Sequence, residues 1–249
     1  MLHDTITFDA GAATSTGNRR LANEDTHVVT DRYCIVADGM GGHVAGGVAS
    51  SVAAAHLARH LAHAFVIDEA AIHRAVEVAH REVLHRAVLD DTDGMGTTVV
   101  LAAVACTDDG LPAIAVAHVG DSRCYRYMDG ELDLVTADHS LVHELVRSGR
   151  CSAAEAAAHP MANVITRAVG VEQLAHAEVT LLPARPCRLL LCSDGLSDEL
   201  PARTIGRVLA GIVDPHAAAA RLVELALAGE ARDNVTAVVI DVATTTPGN

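Results

Sequence analysis

The chain has 249 residues, half of them hydrophobic, but no Trp, three Tyr and two Phe, so any core is built from Ala, Val, Leu and Ile. Its 32 carboxylates against 18 cations give a formal charge of −14, which disfavours nucleic acid and anionic membrane surfaces as partners. All 18 cations are Arg; without Lys the chain lacks what a Walker-type ATPase, a kinase nucleotide site or Schiff-base catalysis requires.

In chain order, residues 26–37 (THVVTDRYCIVA) read as a hairpin of two strands around Asp31. The Ala-rich stretch 44–65 places Leu57, Leu61 and Phe65 at i+4 spacing and predicts a helix. A second helix over 68–89 puts Ile72, Val76, Ala79 and Val83 on one stripe, with Asp68 as its N-cap. Three strands follow at 97–106, 113–120 and 122–128. The first two join through an Asp108-Asp109-Gly110 tip, and MDGE (128–131) starts another turn. Helical stretches at 139–149 and 152–158 precede strands at 177–182, 187–193 and 235–241. Helices near 203–210 and 216–228 lie between the last two strands, the second with Asp214 as cap, Pro215 in its first turn and Gly229 just past its end. Strands in hairpins with helices in pairs argue for α+β: two antiparallel sheets covered by helices, in one domain over 1–242, with 243–249 a flexible tail.

Cys34, Cys106, Cys124, Cys151, Cys187 and Cys192 form no CxxC pair, and none has Arg six residues on, so the usual cysteine-phosphatase loop is absent. The sequence shows no charged-then-apolar leader and no apolar run near 18 residues, and a cytoplasmic location is expected.

Several carboxylates share one setting. Asp38 (CIVADGMGGH), Asp121 (AHVGDSR) and Asp194 (LLLCSDGLSD) each follow an apolar strand; Asp233 (ARDNVTAVVI), Glu24 and Asp25 (ANEDTHVV) each precede one. Asp beside Gly is also ordinary turn chemistry, so no single instance is informative. Gathered at one edge of a sheet sandwich, they would form an oxygen-rich cluster suited to Mg²⁺ or Mn²⁺ rather than zinc. Such a cluster repels itself without cations. Three other signals read as structure: His56, His60 and His63 as a solvated helix face, DTDGM (91–95) as a turn, and Ser140 and Ser193 as residues outside any G-x-S-x-G elbow.

The ordered set TGNRRLANED, VADGMGGH, GDSR, CSDG and ARDN resembles the type 2C metal-dependent protein phosphatases (PPM), most closely their bacterial branch. The resemblance spans about residues 11–241 and includes DGMGTT (93–98), ADHSLVHELVRSG (137–149) and HPMANVITRAVG (159–170). It implies an αββα sandwich that hydrolyses phosphoserine and phosphothreonine on proteins, with two core Mn²⁺ or Mg²⁺ ions and a third, weaker one. Asp38 would bridge the core ions, the Gly39 carbonyl would complete one shell, and Asp194 and Asp233 would hold the second ion. Glu24 and Asp25 would orient metal-bound waters, and Asp121 with Asp194 would hold the third ion. A bridging water would attack phosphorus, Arg20 would grip the phosphoryl oxygens, and His43 would protonate the departing alkoxide. Arg19, at the wrong spacing, is read as surface, and residues 146–170 match the flap that borders the site in bacterial members. The implied partners are phosphoprotein substrates and a cognate Ser/Thr kinase, with the chain a monomer. Two other readings share this frame: a phosphoprotein-binding pseudoenzyme, and a stress-signalling relative acting on a regulator of transcription factors.

Overall fold

A computed structural model describes residues 5–41, 45–152, 155–156, 159–161, 164–171 and 176–245. The apolar runs become strands buried on both faces, which explains why they read as continuous rather than alternating hydrophobicity. One sheet has the order β1 (Thr5–Ser15), β11 (Val235–Thr245), β10 (Cys187–Cys192), β7 (Arg123–Met128), β8 (Glu131–Leu134). The other has the order β2 (Asp25–Val29), β3 (Tyr33–Met40), β5 (Val99–Cys106), β6 (Pro112–Val119), β9 (Glu178–Pro183), with the short β4 (Gly96–Thr97) on β3. Every pairing is antiparallel.

Three apolar layers hold the sandwich together. Between the sheets, Cys34 and Val36 of β3 meet Leu189 and Leu191 of β10 and Val238 and Ile240 of β11. The alternate residues of the same strands turn outward. Ile35 and Ala37 pack with helices α1 (Ala45–His63) and α2 (Glu69–Asp90). Leu190 and Cys192 pack with α5 (Ala202–Gly211) and α6 (Pro215–Leu227). The αββα order expected from the sequence is the one observed.

Local signals account for most boundaries. The Asp68 carboxylate accepts from Ala71 N at 2.6 Å and starts α2, which ends at Asp91 in the left-handed region (φ 54°). Asp214 caps α6 with Pro215 behind it. Three differences have physical causes. Helix α1 stops at His63, so Phe65 falls off the stripe and is 99% exposed, while Leu57 and Leu61 are buried. The helix expected at 139–149 shortens to α3 (Leu141–Arg147), because Ser140 is extended and caps it. Of the stretch expected at 152–158, four residues lie outside those described. Strand β11 runs on to Thr245, paired with Thr5 of β1, so residues 243–245 belong to the sheet rather than a tail.

Small residues bring α1 onto the end of β3. An ideal Cβ on Gly46 would sit 2.7 Å from the Gly39 carbonyl group, whereas one on Gly47 meets nothing nearer than 3.7 Å. Gly46→Ala is therefore expected to destabilise the protein by about 1–3 kcal/mol through overpacking. Gly47→Ala is expected to be neutral or to stabilise by up to about 1 kcal/mol through helix propensity. Paired thermal melts check this; equal effects of the two changes would refute the close-approach account.

Candidate metal centre

Strand ends from both sheets deliver the carboxylates to one place. Asp38 lies in β3, Asp121 in the crossing from β6 to β7, Asp194 at the start of the short helix α4 (Asp194–Ser197) after β10, and Asp233 just before β11. Arg20, Glu24, Asp38, Gly39, Asp121, Asp194 and Asp233 line a single cleft of about 300 Å³, together with Thr98, Met40 and Ile165. Asp25 stands opposite Asp38 in the β2–β3 register. Of the residues singled out in the sequence, His43 lies outside the described ones.

The backbone around Asp38 is fixed by threonines. Its carbonyl accepts from Thr98 N at 2.9 Å and Thr97 Oγ1 at 2.8 Å, and its N–H donates to Thr98 Oγ1 at 3.2 Å. Thr98 Oγ1 lies 2.6 Å from Ser122 Oγ, next to Asp121, tying these two carboxylate-bearing segments together.

Asp25 is held by one oxygen only. Its Oδ2 accepts from Ser193 Oγ at 2.8 Å and Thr236 Oγ1 at 2.6 Å. Thr236 spends its proton there, so the 2.7 Å contact with Thr14 must run from Thr14, which in turn accepts from Asn23 Nδ2. Asn234 joins the loop before β2 to the start of β11. Its Oδ1 accepts from Glu24 N at 2.8 Å, and its Nδ2 donates to the Thr16 and Ala22 carbonyls. None of Thr98, Ser193, Thr236 or Asn234 was read as functional in the sequence, although Ser193 and Asn234 sit inside the motifs quoted for their aspartates.

The site is electrostatically strained. Burial, followed by the charges of Asp25, Asp194, Asp233 and Asp121, pushes the Asp38 carboxyl well above the carboxylate range. Burial raises Asp25 to about 6, Asp121 to about 6 and Asp194 to about 7, with neighbouring carboxylates adding to each. Arg20 offsets part of this charge, donating to Asp233 Oδ2 at 2.6 Å. Nearby Asp138 is already neutralised by a two-pronged pair with Arg123. Among the described residues, the buried oxygens Glu24 Oε1, Asp25 Oδ1 and Asp194 Oδ1 have no hydrogen-bond partner. Orphaned carboxylate oxygens within a self-repelling all-oxygen donor set fit hard divalent cations, and these residues suit Mn²⁺ or Mg²⁺.

The segment matched to the flap returns to this cleft. Thr97 and Val169 exchange backbone hydrogen bonds, Ser140 bridges Ile165, and Ile165 is part of the cleft wall. His56, His60 and His63 instead line an open groove on α1, and DTDGM forms the turn after α2.

Residues 14–226 match the family model for protein phosphatase 2C. The serine/threonine protein phosphatase PstP of Mycobacterium tuberculosis is 39% identical over 97% of this chain, which spans only 46% of that relative. The serine/threonine phosphatase stp of Listeria monocytogenes is 36% identical over 79% of this chain and 81% of its own length. The crystal structure of M. tuberculosis PstP superposes with a TM-score of 0.85 at 36% identity, covering 94% of this chain and 98% of that one. The PstP catalytic domain in complex with two manganese ions gives a TM-score of 0.84 at 37% identity, covering 96% and 100%.

Raised carboxyl pKa values have a definite sign in stability. Their contribution is complete below the unfolded value near 4 and is lost as pH rises through about 6 to 7. Metal-free protein is expected to melt at progressively lower temperature from about pH 5 to pH 8, and saturating Mn²⁺ to raise the melting temperature most at the upper end. A melting temperature independent of pH in EDTA would contradict the strained-cluster reading.

Proposed function

The chain belongs to the protein phosphatase 2C family, and we propose that it is a Mn²⁺- or Mg²⁺-dependent protein phosphatase that hydrolyses phosphoserine and phosphothreonine on proteins. The observation that carries this reading is the convergence of five carboxylates and one guanidinium on a single cleft, with partnerless buried oxygens around it.

In this reading Asp38, the Gly39 carbonyl, Asp194 and Asp233 hold two core ions, and Asp121 with Asp194 holds a third. When bound, the ions neutralise the carboxylates and lower the pKa of a water towards neutrality, supplying a nucleophile for in-line attack at phosphorus. Asp25 keeps Oδ2 on Ser193 and Thr236, which leaves Oδ1 to orient a water by accepting its proton. Glu24, anchored through its backbone N–H by Asn234, offers Oε1 in the same way. Arg20 has the planar fork that suits phosphoryl oxygens and half its side chain in solvent. His43 would give its proton to the departing Ser or Thr alkoxide, which leaves poorly without one.

Substrates in this reading are phosphoproteins, and their phosphorylation calls for a cognate Ser/Thr kinase. The cytoplasm suits six free cysteines and no disulfide among the described residues. A monomer suits the strongly negative charge. Among the described residues no helix is long and apolar enough to cross a membrane.

Hydrolysis of an aryl phosphate by the full chain should require Mn²⁺ or Mg²⁺, cease in EDTA, and fall about 100-fold or more in Asp38→Ala. Activity that survives both treatments would sink the metal mechanism. For His43→Ala, the loss should be at least about tenfold greater on a phosphoserine peptide than on the aryl phosphate, whose leaving group needs less protonation. Equal losses would remove His43 from the acid role.

A further inference from the structure

Apart from the cleft, the described residues contain one tight convergence of metal-ligand types. His118, His139 and Glu178 each offer a ligand atom within 4.8 Å of the others. Both imidazoles are buried, and their rings stack with centroids 4.5 Å apart and planes 18° from parallel. The hydrogen bonds show what the trio is for. His118 Nε2 donates to the Ala137 carbonyl at 2.8 Å. His139 Nδ1 accepts from the Gly120 N–H at 3.1 Å. Burial, with His118 and Arg167 beside it, pushes the His139 pKa down to about 4, so the ring is neutral at pH 7. Its single proton then lies on Nε2, facing Glu178 Oε2 at 3.4 Å. That nitrogen has no lone pair for a metal, and the Arg167 guanidinium is 3.4 Å from it. The trio is a locked imidazole rather than a cation site.

What the imidazole locks is Gly120. The backbone N–H of His139 donates to the Gly120 carbonyl at 3.0 Å while its ring Nδ1 accepts from the Gly120 N–H, a reciprocal clasp on one residue. Gly120 needs that hold: its φ is +102°, and an ideal Cβ there would lie 2.7 Å from Thr98 Cβ. The next residue is Asp121. On its other side His139 grips the cleft wall, since its carbonyl accepts from Thr166 N at 2.7 Å and Ser140 bridges Ile165. The buried ring therefore holds the peptide that precedes Asp121, while the backbone of the same residue joins that peptide to the segment around Thr166.

We propose that His139 is a positioning residue: through its ring contact with the Gly120 N–H it fixes the Asp121 carboxylate, and so sets the affinity of the ion that Asp121 holds. This rests on the assignment of Asp121 to a third ion made above. His139→Asn keeps an amide oxygen near the place of Nδ1, where it can still accept from Gly120, whereas His139→Gln reaches only towards Glu178.

The test is Mn²⁺ calorimetry on the metal-free full chain, with thermal melts and the Mn²⁺ dependence of aryl phosphate hydrolysis alongside. His139→Gln should weaken the weakest Mn²⁺ site about tenfold or more and leave the tighter ions unchanged. His139→Asn should stay within about threefold of wild type, and in an Asp121→Asn background His139→Gln should add nothing. The proposal is overturned if folded His139→Gln binds all ions as wild type does, if His139→Asn is equally impaired, or if the effect persists without Asp121. Should His139→Gln not fold, Glu178→Gln on the exposed side of the ring should weaken the same ion about threefold, and unchanged binding would overturn the proposal. Failure of the wild type to bind any Mn²⁺ would instead overturn the reading of the cleft itself.

Discussion

Mutual repulsion among buried carboxylates is the constraint around which this molecule is arranged. Asp25 and Asp38 face each other across β2 and β3, a pairing of like charges that a sheet ordinarily avoids. Asp121, Asp194 and Asp233 add their fields to Asp38, which burial already penalises. A cluster like this persists only where the surrounding structure is too rigid to relax it. The three apolar layers supply that rigidity, because no strand can slip by one residue without turning its inter-sheet face towards a helix.

Rigidity also has a polar component, and it is local. Thr97 and Thr98 take both backbone groups of Asp38, Asn234 fastens the loop that carries Arg20 and Glu24, and Ser193 and Thr236 hold one oxygen of Asp25. With these contacts made, Glu24 Oε1, Asp25 Oδ1 and Asp194 Oδ1 remain buried without a partner among the described residues. The hydroxyl chain from Asn23 through Thr14 and Thr236 has one consistent direction, ending on the carboxylate. Arg20 is the exception, since it spans the cleft wall to Asp233 and lends its charge to the cluster.

Much of this was legible in the sequence, for reasons that can be traced to particular residues. Asp38, Asp121 and Asp194 announce themselves because each ends an apolar run, and strands with both faces buried are the easiest kind to see. Strand β1 was not anticipated: past Ile6 and Phe8 its residues are small (Ala10, Gly11, Ala12, Ala13), and its course is fixed by eleven register partners in β11, at the far end of the chain. Phe65 was misplaced because i+4 spacing says nothing about where a helix stops. The second group of cleft-supporting residues was hidden for a related reason. His118 and Glu178 are neighbours only through the β6–β9 pairing, and His139 joins them from a loop, so no local spacing carries the signal.

In the proposed reading, charge balance separates the two core ions from a third. The cleft is lined by five carboxylates and one guanidinium, a formal charge of −4 when all are ionised, which two divalent cations offset. Asp25, behind Asp38, adds one more negative charge, partly stabilised by its two hydroxyl donors. Beyond that point bulk electrostatics no longer compels a further cation, and affinity must come from how well oxygens are placed. Asp121 is the carboxylate whose placement hangs on a single glycine at positive φ, held at its N–H by the His139 imidazole and at its carbonyl by the His139 backbone. The core ions can tolerate small errors in geometry because the field of the whole cluster draws them in. An ion that depends on Asp121 has no such reserve, and the precision it needs has to be built into the Gly120–His139 clasp.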